Sequence, residues 1–211
     1  MLDQNKHRTV LIKILEDLYS DSALITMLGF KGGTAMYFIY ELNRFSVDLD
    51  FDLLDPTQET EVYKKLQEIL TKHGTIKSIA NKRNSIQAVL SYSEEMQNIK
   101  IDISKRNFGS HYELKNLYGI AMQVMVKEDM FANKLIACAE RPTVVTRDLF
   151  DIYYMFNKLW SYNPKIIELR WPAGLKDLLK TIIARVEKLN SSNLLSEIGA
   201  LLSPKQQAWV K

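Results

Sequence analysis

The sequence predicts an α/β chain of the α+β kind, with strands and helices mixed up to about residue 125 and helices alone after it. Three observations carry that prediction. Residues 47–54, VDLDFDLL, alternate apolar and acidic side chains, the period-2 pattern of a half-buried strand. Further strand-like runs follow at 75–80, 85–92 and 98–104, each only six to eight residues long. From Lys127 onward the apolar residues recur at helical spacing instead. The expected organisation is therefore a lobe over 1–125 and a helical lobe over 126–211.

Taken in order, residues 5–20 open with a helix, because Val10, Leu11, Ile14, Leu15 and Leu18 share one face. The apolar run 24–30, LITMLGF, ends at Lys31-Gly32-Gly33-Thr34, the only Gly-Gly pair in the chain. This reads as a strand-to-helix turn, with Thr34 expected to cap the helix AMYFIYEL. After strand 47–54, Asp55-Pro56-Thr57 starts a helix at about 58–73. Residues 112–126 read as a hairpin turning at Tyr118-Gly119. Helices are expected at about 127–140, 144–158, 172–189 and 193–202, with breaks near Pro142, Pro164, Pro172 and Pro204.

Composition narrows the function classes. With 46 % hydrophobic and 25 % charged residues among 211, the chain can bury a substantial core. Eight Gly and five Pro are too few for a collagen-like or largely disordered chain. No apolar run approaches the roughly 20 residues of a transmembrane helix, so no membrane partner is expected. The first ten residues hold charge but no apolar core, which argues against a signal peptide. A single Cys excludes an internal disulfide and a thiolate-rich zinc site, and suits a reducing cytoplasm.

The net charge of +3 is mild, but its distribution is not. Residues 41–62 hold seven acids against Arg44, while 64–83 hold six bases against Glu68. Residues 156–190 carry seven Lys or Arg against three acids, a pattern that an ordinary surface helix also shows. An acidic focus with basic flanks is what metal ions and a polyanion together require.

The focus is strand 47–54. Asp48, Asp50 and Asp52 fall on one face, at a spacing of about 7 Å that is unfavourable unless water or cations screen it. Paired carboxylates suit Mg²⁺, which leaves coordination positions for water and phosphate oxygens. A solvated acidic edge strand would show the same DxDxD pattern. Context favours the cation. Gly32-Gly33-Thr34 lies just upstream at a turn into a helix, where backbone N–H groups can approach a phosphate. Asp102 in IKIDIS offers a third carboxylate on a later strand, flanked by Ile101 and Ile103. Neither a Walker A loop nor a Rossmann GxGxxG is present. A glycine turn, a DxD strand and a lone Asp can assemble a two-metal phosphoryl-transfer site.

These residues resemble a known family. KGGTA followed by Arg44-Phe45-Ser46-x-Asp48-x-Asp50 is similar to the hG[GS]…DhD pattern of the nucleotidyltransferase superfamily, in the variant of the AbiEii/AbiGii-type toxins (DUF1814) of abortive-infection and toxin–antitoxin systems. MFANKLIACAERPTVVTRDLFDIYYM resembles that family's helical motifs, and IKIDIS its intervening strand; the resemblance spans about residues 28–155. It implies a nucleotidyltransferase-type mixed sheet with a helical lobe completing the nucleotide cleft. It implies that Gly32, Gly33 and Thr34 hold nucleotide phosphates and that Asp48 and Asp50 bind Mg²⁺, with Asp102 the looser third ligand. Lys134 would meet the triphosphate, and Asp148 would orient Lys134 or touch the nucleotide. Arg44 and Ser46 would contact phosphate. The implied activity is transfer of NMP from an NTP to an acceptor hydroxyl, that of a tRNA 3′ end, arresting growth until a cognate antitoxin relieves it. The alternatives are an NTP-binding toxin or regulatory partner without transfer to RNA, or a nucleotidyltransferase acting on a small molecule or protein.

Other chemistry-bearing residues read more plainly. Asp52 is expected to be solvated or behind the ligands, and Arg147 and Asp151 to form an i, i+4 ion pair. A snorkelling Lys134 is the rival to a catalytic one. His7, His73 and His111 lack metal-ligand spacing and read as surface or turn residues. Cys138 reads as a small core residue, and Tyr153, Tyr154, Phe156, Trp160 and Tyr162 as a core cluster that could alternatively stack bases.

Overall fold

The computed structural model describes residues 2–189 and 198–210. Its contacts divide the chain into two compact units, one of residues 1–41, 45–107 and 112–125, the other of 42–44, 108–111 and 126–211. Mixed α/β architecture is what the sequence predicted, with the strands confined to the first unit.

The first unit is built on strands β1 (Leu28–Lys31), β2 (Leu49–Leu53), β3 (Thr75–Asn81), β4 (Ser85–Ser91), β5 (Ile99–Ser104), β6 (Tyr112–Leu117) and β7 (Ile120–Met125). They form one sheet in the order β3-β4-β5-β2-β1-β7-β6. It is mixed, since β2 runs parallel to β5 and β1 parallel to β7 while the other pairs are antiparallel. The alternation along β2 decides its faces: Leu49, Phe51 and Leu53 are buried, while Asp50 lies half-buried on the opposite side. Phe30 of β1 packs against Phe51, and Ile86, Ile101, Ile103 and Val124 extend the apolar layer. Each such side chain contributes about 1.5–3 kcal/mol by leaving water.

Helix α1 (Gln4–Ser20) buries Leu11, Ile14, Leu15 and Leu18, and the Asp3 carboxylate caps it by accepting from the Asn5 and Lys6 N–H groups. A single turn, α2 (Leu24–Met27), leads into β1, and α3 (Gly32–Ile39) leaves it. Helix α4 (Glu59–His73) buries Val62, Leu66, Ile69 and Leu70, with Glu59 and Glu61 in its first turn complementing the helix dipole. The hairpin β6–β7 turns at Tyr118-Gly119, where both residues have positive φ (52° and 89°), as a two-residue hairpin turn of this hand requires.

The second unit is helical: α5 (Lys127–Glu140), α6 (Thr146–Asn157), α7 (Pro164–Arg170), α8 (Gly174–Val186) and α9 (Pro204–Val210). Helix α5 packs against α6, α7 and α8, so Phe131, Ala132, Leu135, Ile136 and Cys138 are buried on several of its sides. Helix α7 was not expected. Pro164 reads as a breaker in the sequence, but at the first helical position its missing N–H costs nothing, and the Asn163 side chain caps the Lys165 N–H at 3.0 Å. Of the helix expected at 193–202, residues 193–197 lie outside the described residues, and Gly199–Leu201 form a 3₁₀ turn.

Two further expectations are corrected by packing. His7 is fully buried rather than at the surface: its ring nitrogens meet Val47 O at 2.9 Å and Tyr92 Oη at 2.8 Å. A carbonyl only accepts, so Nε2–H donates to Val47 and, in the neutral ring, Nδ1 accepts from Tyr92. His73 is likewise tied, to Asp17 at 2.9 Å, whereas His111 is exposed and meets Asp129 at 3.0 Å. Of the five aromatics grouped with Tyr153, only Tyr154 is buried, and Tyr153, Phe156 and Tyr162 are exposed.

Candidate active site

The sheet's polar face gathers the predicted carboxylates. In register across four strands, Gln87 of β4 lies beside Asp102 of β5, Asp102 beside Asp50 of β2, and Asp50 beside Lys31 of β1. Neighbours in register project to the same face, so this row places a carboxamide, two carboxylates and an ammonium side by side. Gln87 Nε2 donates to Asp102 Oδ2 at 2.6 Å, which orients that carboxylate. Asp48 stands two residues before Asp50, half-buried, with its Oδ1 3.4 Å from the Lys100 N–H. Asp48, Asp50 and Asp102 are thus brought to one face, two from β2 and its lead-in and one from β5.

The glycine turn packs directly onto this row. Gly32 has φ +77°, and a Cβ there would lie 2.4 Å from Asp50 Oδ2. Only glycine allows both the backbone conformation and the approach. Helix α3 begins at Gly32 itself, so Thr34 lies inside the helix and does not cap it. Its hydroxyl instead donates to the Asp48 carbonyl, and Ser46 Oγ meets Thr34 Oγ1 at 2.9 Å. Thr34 and Ser46 are both buried, and brace the backbone that presents Asp48.

Of the two settings expected of Asp52, solvated or behind the ligands, the structure excludes the first. It is buried, not solvated, because Lys31 Nζ binds its Oδ1 at 2.6 Å and Tyr112 Oη its Oδ2 at 2.5 Å. No signal in the sequence pairs Tyr112 with Asp52, since they are sixty residues apart and meet only through the strand order. Lys31 had one, its position immediately before the Gly-Gly pair.

The remaining predicted residues cluster within the helical unit. Arg44, 3 % exposed, donates from Nε and Nη2 to the two oxygens of Asp151, each at 2.7 Å. This bidentate pair satisfies a guanidinium that burial would otherwise leave costly. Lys134 Nζ binds Asp148 Oδ1 at 2.7 Å and Asp151 Oδ2 at 2.8 Å, and Arg141 Nη1 reaches Asp148 Oδ2 at 2.9 Å. Burial works against the charge on Lys134, but Asp151 and Asp148 outweigh it and hold its pKa above the usual lysine value. Burial likewise pushes Asp151 up, and Lys134 with Arg44 more than reverse it, so its pKa lies below the usual carboxylate range. Lys134 therefore does not snorkel. Asp151, expected to pair along its helix with Arg147, is held by Arg44 and Lys134.

Among the described residues, no three His, Cys, Asp or Glu side chains close into a ready metal cage. None of the described helices is long and apolar enough to cross a membrane.

The fold has solved counterparts. A candidate nucleotidyltransferase from H. pylori is similar at 22 % identity and a TM-score of 0.59, over 97 % of this chain and 89 % of that one. JHP933 from Helicobacter pylori is similar at 21 % identity and 0.56, over 100 % and 90 %. The antibiotic-resistance factor ANT(2'')-Ia is similar at 14 % identity and 0.55, over 88 % and 97 %. At these identities the likeness is one of fold. A search of curated proteins finds no match. The model of the family described as "Nucleotidyl transferase AbiEii toxin, Type IV TA system" matches residues 13–198, nearly the whole chain with both clusters inside it. The chain belongs to this AbiEii family of nucleotidyltransferase toxins.

Proposed function

We propose that the chain uses Mg²⁺ to transfer NMP from an NTP to an acceptor hydroxyl, with RNA, and in particular a tRNA 3′ end, as the acceptor. The observation that carries this reading is the register that sets Asp50 beside Asp102 while the Gly32 turn packs onto Asp50. Mg²⁺ commonly takes one or two protein carboxylates and completes its shell with water and phosphate oxygens. Asp48 and Asp50 suit that demand without a closed cage, and Asp102, oriented by Gln87, is the third candidate ligand. When bound, the metal would supply charge neutralisation at the α-phosphate and lower the pKa of the attacking hydroxyl.

The chain's own residues do the rest. Gly32 and Gly33 bring backbone N–H groups to the start of α3, where phosphate oxygens gain hydrogen bonds and the helix dipole. Thr34 holds the Asp48 carbonyl, and Ser46 holds the Thr34 hydroxyl, so that together they brace the backbone carrying the carboxylate pair. The acceptor oxygen bonds to the α-phosphorus as the bond to pyrophosphate breaks, and the acceptor proton leaves with solvent or a carboxylate of the row. Lys134 and Asp148, as the family resemblance implies, would act on the nucleotide from a mutually bonded pair. The biological setting we infer is the cytoplasm, in abortive infection, with growth arrest relieved by an antitoxin.

Incubation of the purified protein with each α-³²P-labelled NTP, Mg²⁺ and a tRNA pool tests this. Label should appear at the RNA 3′ end with wild type and vanish with Asp48→Ala and Asp50→Ala, which keep their fold because removing crowded carboxylates relieves repulsion. Label on protein or on a small molecule would replace the RNA acceptor. No transfer to any acceptor, or full activity in both variants, would overturn the reading.

A further inference from the structure

The ammonium of Lys31 stands at the end of the carboxylate row, and the way it is held is informative. Its in-register neighbour is Asp50, yet the partner that binds its Nζ is Asp52, at 2.6 Å. The second oxygen of Asp52 accepts from Tyr112 Oη at 2.5 Å. Tyr112 comes from β6, two strands beyond β1 in the sheet. Its ring reaches across because residue 29 is glycine: a Cβ there would lie 2.2 Å from Tyr112 Cε1. Three separate features, Gly29, Tyr112 and Asp52, therefore converge on fixing one lysine.

Resting on the nucleotidyl-transfer reading above, we propose that Lys31 is a further phosphate-binding residue of the site and that Asp52 and Tyr112 are its positioning residues. An ammonium carries three N–H donors, and Asp52 engages one of them. The Lys31 side chain remains 27 % exposed, against 11 % for Asp52, so the cation is reachable from solvent while its anchor is not. It directly precedes Gly32-Gly33 and is the N-cap residue of α3, where phosphate is proposed to bind. The charge balance favours the same role. Asp48, Asp50, Asp52 and Asp102 set four carboxylates on this face, with the Lys31 ammonium at one end of the row and Lys82 Nζ, 2.5 Å from Gln87 Oε1, at the other; so acidic a face repels a triphosphate wherever cations do not offset it. With Asp52 already satisfied on both oxygens, its part is to hold a cation rather than to ligate a metal.

Calorimetric titration with the tri-, di- and monophosphates of one nucleoside, in excess Mg²⁺, reads this directly. Lys31→Ala should weaken triphosphate binding about ten- to a hundredfold and leave the monophosphate within about twofold. Lys31→Arg should restore part of the loss, since the charge returns in a planar and larger group. Asp52→Asn and Tyr112→Phe should give smaller losses in the same direction, by leaving the ammonium less well placed. Thermal melts of each variant establish that it folds. If Lys31→Ala binds triphosphate as wild type does, or loses tri- and monophosphate equally, the lysine is only a brace for Asp52 and the proposal is overturned. The parent reading is judged separately, by label transfer in wild type and its loss in Asp48→Asn. Wild type that neither binds NTP nor transfers label would overturn both.

Discussion

Lys134 shows how a residue's surroundings redefine its part. On the sequence it is one cation on an apolar helix; in the structure it is 16 % exposed and bonded to two buried carboxylates, one of which also holds Arg44. Removing it leaves Asp151 to Arg44 and Asp148 to Arg141 alone, each buried carboxylate losing a partner of one oxygen in a poorly solvated place. Breaking a buried pair from one side typically costs about 3–5 kcal/mol, far above the roughly 0.5 kcal/mol of a surface change. Lys134→Ala should therefore lower unfolding free energy by about 3 kcal/mol in a denaturant melt, as well as weakening turnover. A loss near zero would mean that the cluster is solvated and the lysine dispensable to the fold.

At the scale of single elements, two glycines with positive φ separate conformational need from close approach. Gly119 (φ +89°) has nothing within 4 Å of a would-be Cβ, whereas at Gly32 (φ +77°) the methyl would meet Asp50. Gly119→Ala should cost about 1 kcal/mol of stability and leave transfer unchanged, because only the backbone of a hairpin turn is strained. Gly32→Ala carries the same strain and also displaces a carboxylate of the site. Its single-turnover rate should fall at least a hundredfold, since misplacement on the order of 1 Å is enough for that. Equal rates for the two variants would detach the turn from the chemistry.

The pH dependence of stability belongs to the whole molecule. Burial lowers the pKa of His7 below its ordinary 6.5, against the opposing effects of the Val47 carbonyl and Asp48. The unfolded chain then binds this proton more readily, so stability is full above that value and declines as pH falls below it. Asp151, with its pKa depressed, contributes stability that is present above the ordinary carboxylate range and lost on further acidification. Lys134, with its pKa raised, contributes stability below about pH 10 that is lost as the ammonium finally deprotonates. Urea melts should show a plateau between about pH 7 and 10, a first loss as pH falls below about 6.5, and a further one as it falls through the ordinary carboxylate range near pH 4. His7→Gln should flatten the first loss and leave the second; an unchanged profile would remove His7 as its source.

The elements and the chemistry of the carboxylate row are legible in local patterns of the chain. Alternation placed Asp48 and Asp50 on the polar side of β2, since side-chain parity follows from the backbone alone. The Gly-Gly turn, the start of α5 at Lys127 and the Tyr118-Gly119 hairpin were legible for the same reason, because each is set by residues within a few positions. Which distant groups meet is set by long-range packing. Strand order put Asp102 beside Asp50 and carried Tyr112 to Asp52; helix packing brought Arg44 onto Asp151 and buried His7 under Tyr92. Those outcomes depend on long-range register and on the demand that every buried charge find a partner. No local pattern encodes either one.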